Sequence, residues 1–232
     1  RLAGLATRVL HLAPPQGTGA GDPRTVALAR ALARRSVPQA LVYGSTSGVY
    51  GDCGGALVAE SRALHPQTDR ARRRVAAETA VRAFGRAASV RASILRIPGI
   101  YAPDREGGTP RERLLRGTPV LAEGEDVYTN HIHADDLARA CVLALWRGRP
   151  QRVVHASDDS ALKMGDYFDL AADLYGLPRP PRVTLAQARE QLSPALLSFM
   201  AESRRLDNRR LKTELRLRLR HPTPATGLLQ KE

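Results

Sequence analysis

The stretch Leu41-Val-Tyr-Gly-Ser-Thr-Ser-Gly-Val-Tyr-Gly51 constrains the fold more than any other part of this chain. A short uncharged run, Leu41 to Gly44, leads into three hydroxyl side chains, Ser45, Thr46 and Ser47, and then into Gly48-Val-Tyr-Gly51. An apolar run bounded by turn formers reads as a strand buried on both faces, as in a parallel sheet. Open α/β sheets take ligands outside the carboxyl ends of their strands, and that is where the hydroxyl cluster falls. These hydroxyls can hydrogen-bond a substrate oxygen, or they can cap their own turn. The segment alone leaves both readings open.

The pattern recurs. Arg8-Val-Leu-His-Leu-Ala13 reads as a buried strand, and Val90 to Ile97 as another, stopped by Pro98-Gly99. Between them, residues 25–35 place Val26, Ala29, Leu32 and Ala33 at helical spacing, and residues 70–88 read as a long Ala/Arg-rich helix. Strands alternating with helices predict βαβ units on a parallel sheet. Later segments are less regular: loop and short helix over 104–119, a helix from about Asp136 through Trp146, a short strand at 153–156, a helix over 165–175, and further helix over 185–205. The alternating basic and apolar residues from Arg216 to Arg220 read as an edge strand or a helix end. The expectation is an α/β fold: a Rossmann-like doubly wound parallel sheet with a small C-terminal substrate lobe. Residues 1–100 form the Rossmann-like part; residues 101–232 complete the sheet and build the lobe.

A net charge of +13 and a pI near 10.8 raise the question of nucleic acid. All but three of the 36 basic residues are Arg, scattered over several predicted helices, and aromatic content is 4%. Stacking platforms are therefore few, and the Arg-for-Lys bias resembles a GC-rich coding bias. No nucleic acid is expected as a partner. No membrane is expected either, because no apolar run approaches the roughly 20 residues needed to span one. Cys53 and Cys141 lack metal or redox spacing, so a cytoplasmic location is expected.

The hydroxyl stretch with Val49-Tyr50-Gly51 resembles the short-chain dehydrogenase/reductase superfamily, in its extended branch of NAD-dependent epimerases and dehydratases. Arg96-Ile-Pro-Gly-Ile-Tyr101, His131-Ile-His-Ala-Asp-Asp-Leu137 and Arg209-Arg-Leu-Lys-Thr-Glu-Leu215 continue the resemblance in the family's order. It implies NAD or NADP as cofactor, a small-molecule or nucleotide-linked substrate, and a homodimer pairing long helices such as 70–88. It implies Thr46 and Ser47 as catalytic residues. Leu12, Ala13, Ser45, Arg74, Pro98, Gly99 and Ile100 are implied at the cofactor, and Tyr50, Arg70, Tyr101 and His133 at the substrate.

Two family features are missing. Gly17-Thr-Gly-Ala-Gly21 has glycines at alternate positions, not the Gly-x-Gly-x-x-Gly spacing of a dinucleotide turn, so the family's first βαβ units are expected before Arg1. The Tyr-x-x-x-Lys pair is absent: counting back from Glu78 puts Arg70 at the Tyr position and Arg74 at the Lys position. Arg74 can stand in as a donor, but a guanidinium does not give up its proton at physiological pH. His131 is then the catalytic acid/base candidate, with His133 as a second; two histidines without a third ligand nearby in sequence do not suggest a metal. The resemblance is to atypical short-chain dehydrogenases, and the alternative is a catalytically inactive dinucleotide-binding or sensor protein.

Overall fold

The computed structural model describes residues 4–229. In chain order the strands are β1 (Arg8–His11), β2 (Ala40–Thr46), β3 (Leu57–Val58), β4 (Arg91–Ile97), β5 (Gly99–Tyr101), β6 (Val120–Leu121), β7 (His131–His133), β8 (Val153–His155), β9 (Arg182–Val183) and β10 (Arg205–Leu206). The helices are α1 (Pro23–Leu32), α2 (Asp69–Ala87), α3 (Arg111–Leu115), α4 (Ala134–Arg147), α5 (Met164–Tyr175), α6 (Leu185–Gln191), α7 (Pro194–Met200) and α8 (Arg209–Thr213).

The main sheet is parallel throughout, in the order β1-β2-β4-β8. Strand side chains alternate between faces, and here both faces are covered. Leu41, Tyr43 and Ile94 pack with Leu32 of α1 and Ala77, Val81 and Phe84 of α2. Val42 and Leu95 point the other way, onto Leu137, Ala140 and Ala144 of α4 and Leu211 of α8. A separate apolar cluster gathers Leu114, Leu121, Met164, Phe168, Ala172 and Leu228 from the later part of the chain. The doubly wound α/β expectation holds, and β8 completes the sheet from the second half of the chain.

Local chemistry sets the helix ends. Asp22 caps α1 by accepting from Thr25 N, with Pro23 at the first position. Thr68 Oγ1 accepts from Ala71 N at 3.2 Å and starts α2, and Gly176, at φ 62°, ends α5 in the left-handed conformation that costs glycine least.

Three local expectations change. β1 is not buried: it has no strand partner on its outer edge among the described residues, and Leu10 and Leu12 are exposed. The 185–205 helix is two short helices, because Ser193 and Pro194 cap and restart the chain as α7. The Arg216–Arg220 segment joins no sheet; it runs beside α4, burying Leu215 and Leu217 while Arg220 N donates to Asp136.

Candidate active site

β2 and β4 pair in register from Ala40↔Arg91 to Thr46↔Ile97. Their carboxyl ends therefore finish together, and Thr46, Ser47 and Gly48 open onto the same space as Pro98 and Gly99. The first turns of α2 bring Arg70, Ala71 and Arg74 to it, and Tyr128, Thr129, Asn130, Phe199, Glu202 and Arg204 close the far wall around a cavity of about 290 Å³. Thr46 Oγ1 accepts from Gly48 N at 3.3 Å, so its own O–H remains a donor. Arg74 Nη1 donates to Gly44 O at 2.7 Å and to Tyr43 Oη at 3.1 Å, which fixes the guanidinium at the end of β2. The Arg70 guanidinium lies 4.8 Å above the Phe199 ring.

A second cavity of about 240 Å³ shares Gly99, Thr129, Met164 and Phe199 with the first, so the two are compartments of one cleft. Ile100, Tyr101, His131 and Arg113 line this second part. His131 stacks on Tyr167 at 3.9 Å, its Nδ1 has no hydrogen-bond partner, and burial pulls its pKa down to about 3. An imidazole that resists protonation to that extent holds no proton to donate at neutral pH. The structure thus places His131 in the cleft, in a neutral form.

Other expected residues fall away from the cleft walls. Tyr50 is buried, its hydroxyl at 2.6 Å from both His155 Nε2 and Arg96 Nη1. It belongs to an interior polar network, not to a substrate surface. His133 is buried beneath His221, the rings stacked at 3.8 Å, and its Nδ1 accepts from Asp135 N as the cap of α4. Space thus brings His133, Asp135 and His221 together where sequence did not, but face-to-face rings do not converge two lone pairs on one ion, and we assign no metal role. Leu12 and Ala13 are exposed beyond β1, Leu12 packing against Gly44: a Cβ there would meet Leu12 Cδ2 at 2.8 Å. Ser45 is buried with its Oγ unpartnered.

The cleft also contains residues that sequence reasoning missed. Tyr128 and Glu202 place a phenol and a carboxylate on the wall of the Thr46 cavity, and Arg113 places a guanidinium in the second. Tyr128 and Glu202 come from irregular segments and Arg113 from the short α3, none with a motif, and only the folded chain brings them to the cleft.

Residues 24–156, more than half of the chain, match a sequence profile of the NAD dependent epimerase/dehydratase family. The chain belongs to that family. A functionally unknown conserved protein from Silicibacter pomeroyi DSS has the same fold, with a TM-score of 0.84 and 33% identity over 98% of this chain and 77% of that one. UDP-glucuronic acid 4-epimerase from Bacillus cereus, in complex with NAD, superimposes with a TM-score of 0.73 at 18% identity, covering 96% of this chain and 72% of that one; this likeness is one of fold. Among curated proteins, 3-diazoavenalumate denitrifying reductase from a Streptomyces species is 29% identical over 139 residues, 58% of this chain. The match spans 45% of that reductase, less than half its length.

The family is NAD-dependent, and the cleft fits one end of a dinucleotide. Arg74 is held at the end of β2 by a single nitrogen, and hydroxyls stand at Thr46 and Ser47. These donors suit a nicotinamide ribose and carboxamide. No described turn has the Gly-x-Gly-x-x-Gly spacing that cradles a diphosphate. Gly17, Gly19 and Gly21 lie in an exposed loop, where Arg73 Nη1 donates to Gly19 O at 3.3 Å.

Proposed function

We propose that this protein carries out NAD(P)-dependent oxidoreduction, of the kind used by epimerases, dehydratases and reductases, on a small or nucleotide-linked substrate. The observation that carries the reading is the convergence of Thr46, Ser47, Arg70, Arg74, Pro98 and Gly99 on one cavity at the carboxyl ends of β2 and β4. NAD(P), when bound, supplies or accepts the hydride. Arg74 would hold the nicotinamide end, with Thr46 and Ser47 donating to the substrate oxygen. Arg70 adds positive charge to the same wall, which favours negative charge developing on that oxygen. The proton carrier in this proposal is the Tyr128 phenol, in place of the absent helix tyrosine and of His131.

A second reading, a dinucleotide-binding sensor without turnover, is favoured by Arg70 standing where the resemblance calls for a phenol. Calorimetric titration of the protein with NADH and NADPH tests the cofactor part of both. Heat with neither, from folded protein, would contradict them. Slow oxidation of bound NADPH by carbonyl substrates, lost in Tyr128→Phe, would favour the enzyme. A homodimer that pairs long helices such as α2 belongs to the same reading. Light scattering tests it: a dimer mass supports the pairing and a monomer mass contradicts it.

A further inference from the structure

We propose that the second compartment of the cleft is an anion pocket, in which Arg113 binds a carboxylate or phosphate carried on a flat apolar substrate. This rests on the oxidoreductase reading for its role in substrate selection, but the pocket is argued from its own walls.

Arg113 sits on α3, with its guanidinium 4.3 Å over the Phe168 ring. Its Nε and Nη2 are buried and have no hydrogen-bond partner, and none of the ion pairs among the described residues includes it. Buried polar groups in folded proteins are almost always paired, and an unpaired buried cation is costlier still. Burial, and after it the like charge of Arg116, pulls the Arg113 pKa down. A guanidinium remains charged even so. Among the described residues no ion pair includes this half-buried charge, whereas Arg96 is gripped by Glu78 and Arg204 by Glu202.

The surroundings define what would satisfy it. Tyr101, Tyr167, Phe168 and Phe199 line the compartment, and His131, also unpartnered at Nδ1, adds a neutral polar group. Aromatic walls around one planar cation suit a flat body with a single anionic group, and a guanidinium matches carboxylate or phosphate oxygens through paired N–H donors. The compartment joins the Thr46 cavity through Gly99, Thr129, Met164 and Phe199. An anion held at Arg113 would therefore leave the other end of the substrate toward the hydroxyls. This makes Arg113 a specificity residue, selecting for substrates with an acidic group.

The test is a calorimetric titration of the protein, with and without saturating NADPH, using benzoate, neutral benzamide and inorganic phosphate. Benzoate or phosphate should bind, and benzamide should bind at least about tenfold more weakly than benzoate, since a hydrogen bond to a charged group is lost. Tighter binding of benzoate identifies a carboxylate site, and tighter binding of phosphate a phosphate site. Arg113→Gln should weaken the bound anion at least about tenfold, while Arg111→Gln, an exposed neighbour on α3, should not. Arg113→Met should raise the melting temperature, because it removes an unpaired buried charge. NADPH binding by Arg113→Gln should match the wild type, so failure of the cofactor reading and failure of the anion pocket give different results. The proposal is overturned if neither anion binds, or if Arg113→Gln binds the anion as the wild type does. A lower melting temperature in Arg113→Met with unchanged anion affinity would make Arg113 a packing residue and overturn it equally.

Discussion

Arg96 and Glu78 are joined by two parallel hydrogen bonds, Nε to Oε1 at 3.1 Å and Nη2 to Oε2 at 2.8 Å, with 3% and 2% of their side chains exposed. The pair ties α2 to β4 just below the cleft, so it sets where Arg70 and Arg74 stand. Removing one partner of a buried ion pair leaves the other charge uncompensated. Glu78→Ala should cost about 3–5 kcal/mol of stability, read from the urea midpoint. The double change Glu78→Leu with Arg96→Met should cost less than the single one.

Thr46 has two jobs that can be separated. Its Oγ1 caps the turn at Ser47–Tyr50 through Gly48 N, while the hydroxyl faces the cavity. Thr46→Val loses both and should lower stability by about 1 kcal/mol. Thr46→Ser keeps the cap and should restore it. If the hydroxyl also orients substrate, Thr46→Val should lower turnover well beyond what this stability loss explains, measured at a temperature where both variants are folded. Unchanged turnover would leave Thr46 a turn residue.

Acid should destabilise the protein between about pH 6.5 and 4. Burial lowers His155 to about 4 and His131 to about 3, from the ordinary 6.5. Across that window the unfolded chain binds two protons that the folded chain refuses, so stability falls as the pH falls. Asp158 opposes this: burial raises its pKa from 3.8 to about 7. Its contribution is full below 3.8 and is lost as pH rises through 7. From these three groups the net uptake on unfolding is near one proton, a slope of about 1.4 kcal/mol per pH unit. Asp158→Asn keeps an acceptor for Ser160 N and Oγ, which Asp158 Oδ1 now serves at 3.0 and 2.6 Å. This variant should be more stable than wild type at pH 8 and should lose stability more steeply in acid, both read from denaturant unfolding across pH.

Much of the scaffold was legible because it rests on local pattern. The apolar runs at Leu41 and Ile94 and the Ala-rich spacing of α2 are signals that period and turn residues carry by themselves. The placement of Thr46, Ser47, Arg70, Arg74, Pro98 and Gly99 at one cavity follows from strand ends that such a sheet aligns. Tyr50 and His133 were not legible in the same way. Both are polar groups next to motif residues, and whether such a group faces ligand or interior depends on partners far away in sequence, here His155 and His221. Arg113, Tyr128 and Glu202 escaped for the complementary reason: they have no local pattern, and only tertiary packing gives them neighbours.

Substituting Arg70→Tyr with Arg74→Lys should not create efficient dehydrogenase activity. The change supplies a phenol and an ammonium but removes the Arg74 bonds to Gly44 O and Tyr43 Oη that order the end of β2. Members of a catalytic unit act together, so two of them restored outside their setting gain little. NADPH oxidation assays should show turnover no higher than wild type, and weaker cofactor binding.

In the proposed function the ends of β2 and β4, with the first turns of α2, take the nicotinamide end of NAD(P). Hydrogen–deuterium exchange of the protein with and without saturating NADPH measures this directly. Exchange should slow in peptides covering residues 44–51, 68–76 and 97–101, and Arg74→Gln should reduce that protection. Protection confined to other segments, or none where calorimetry shows NADPH bound, would contradict it.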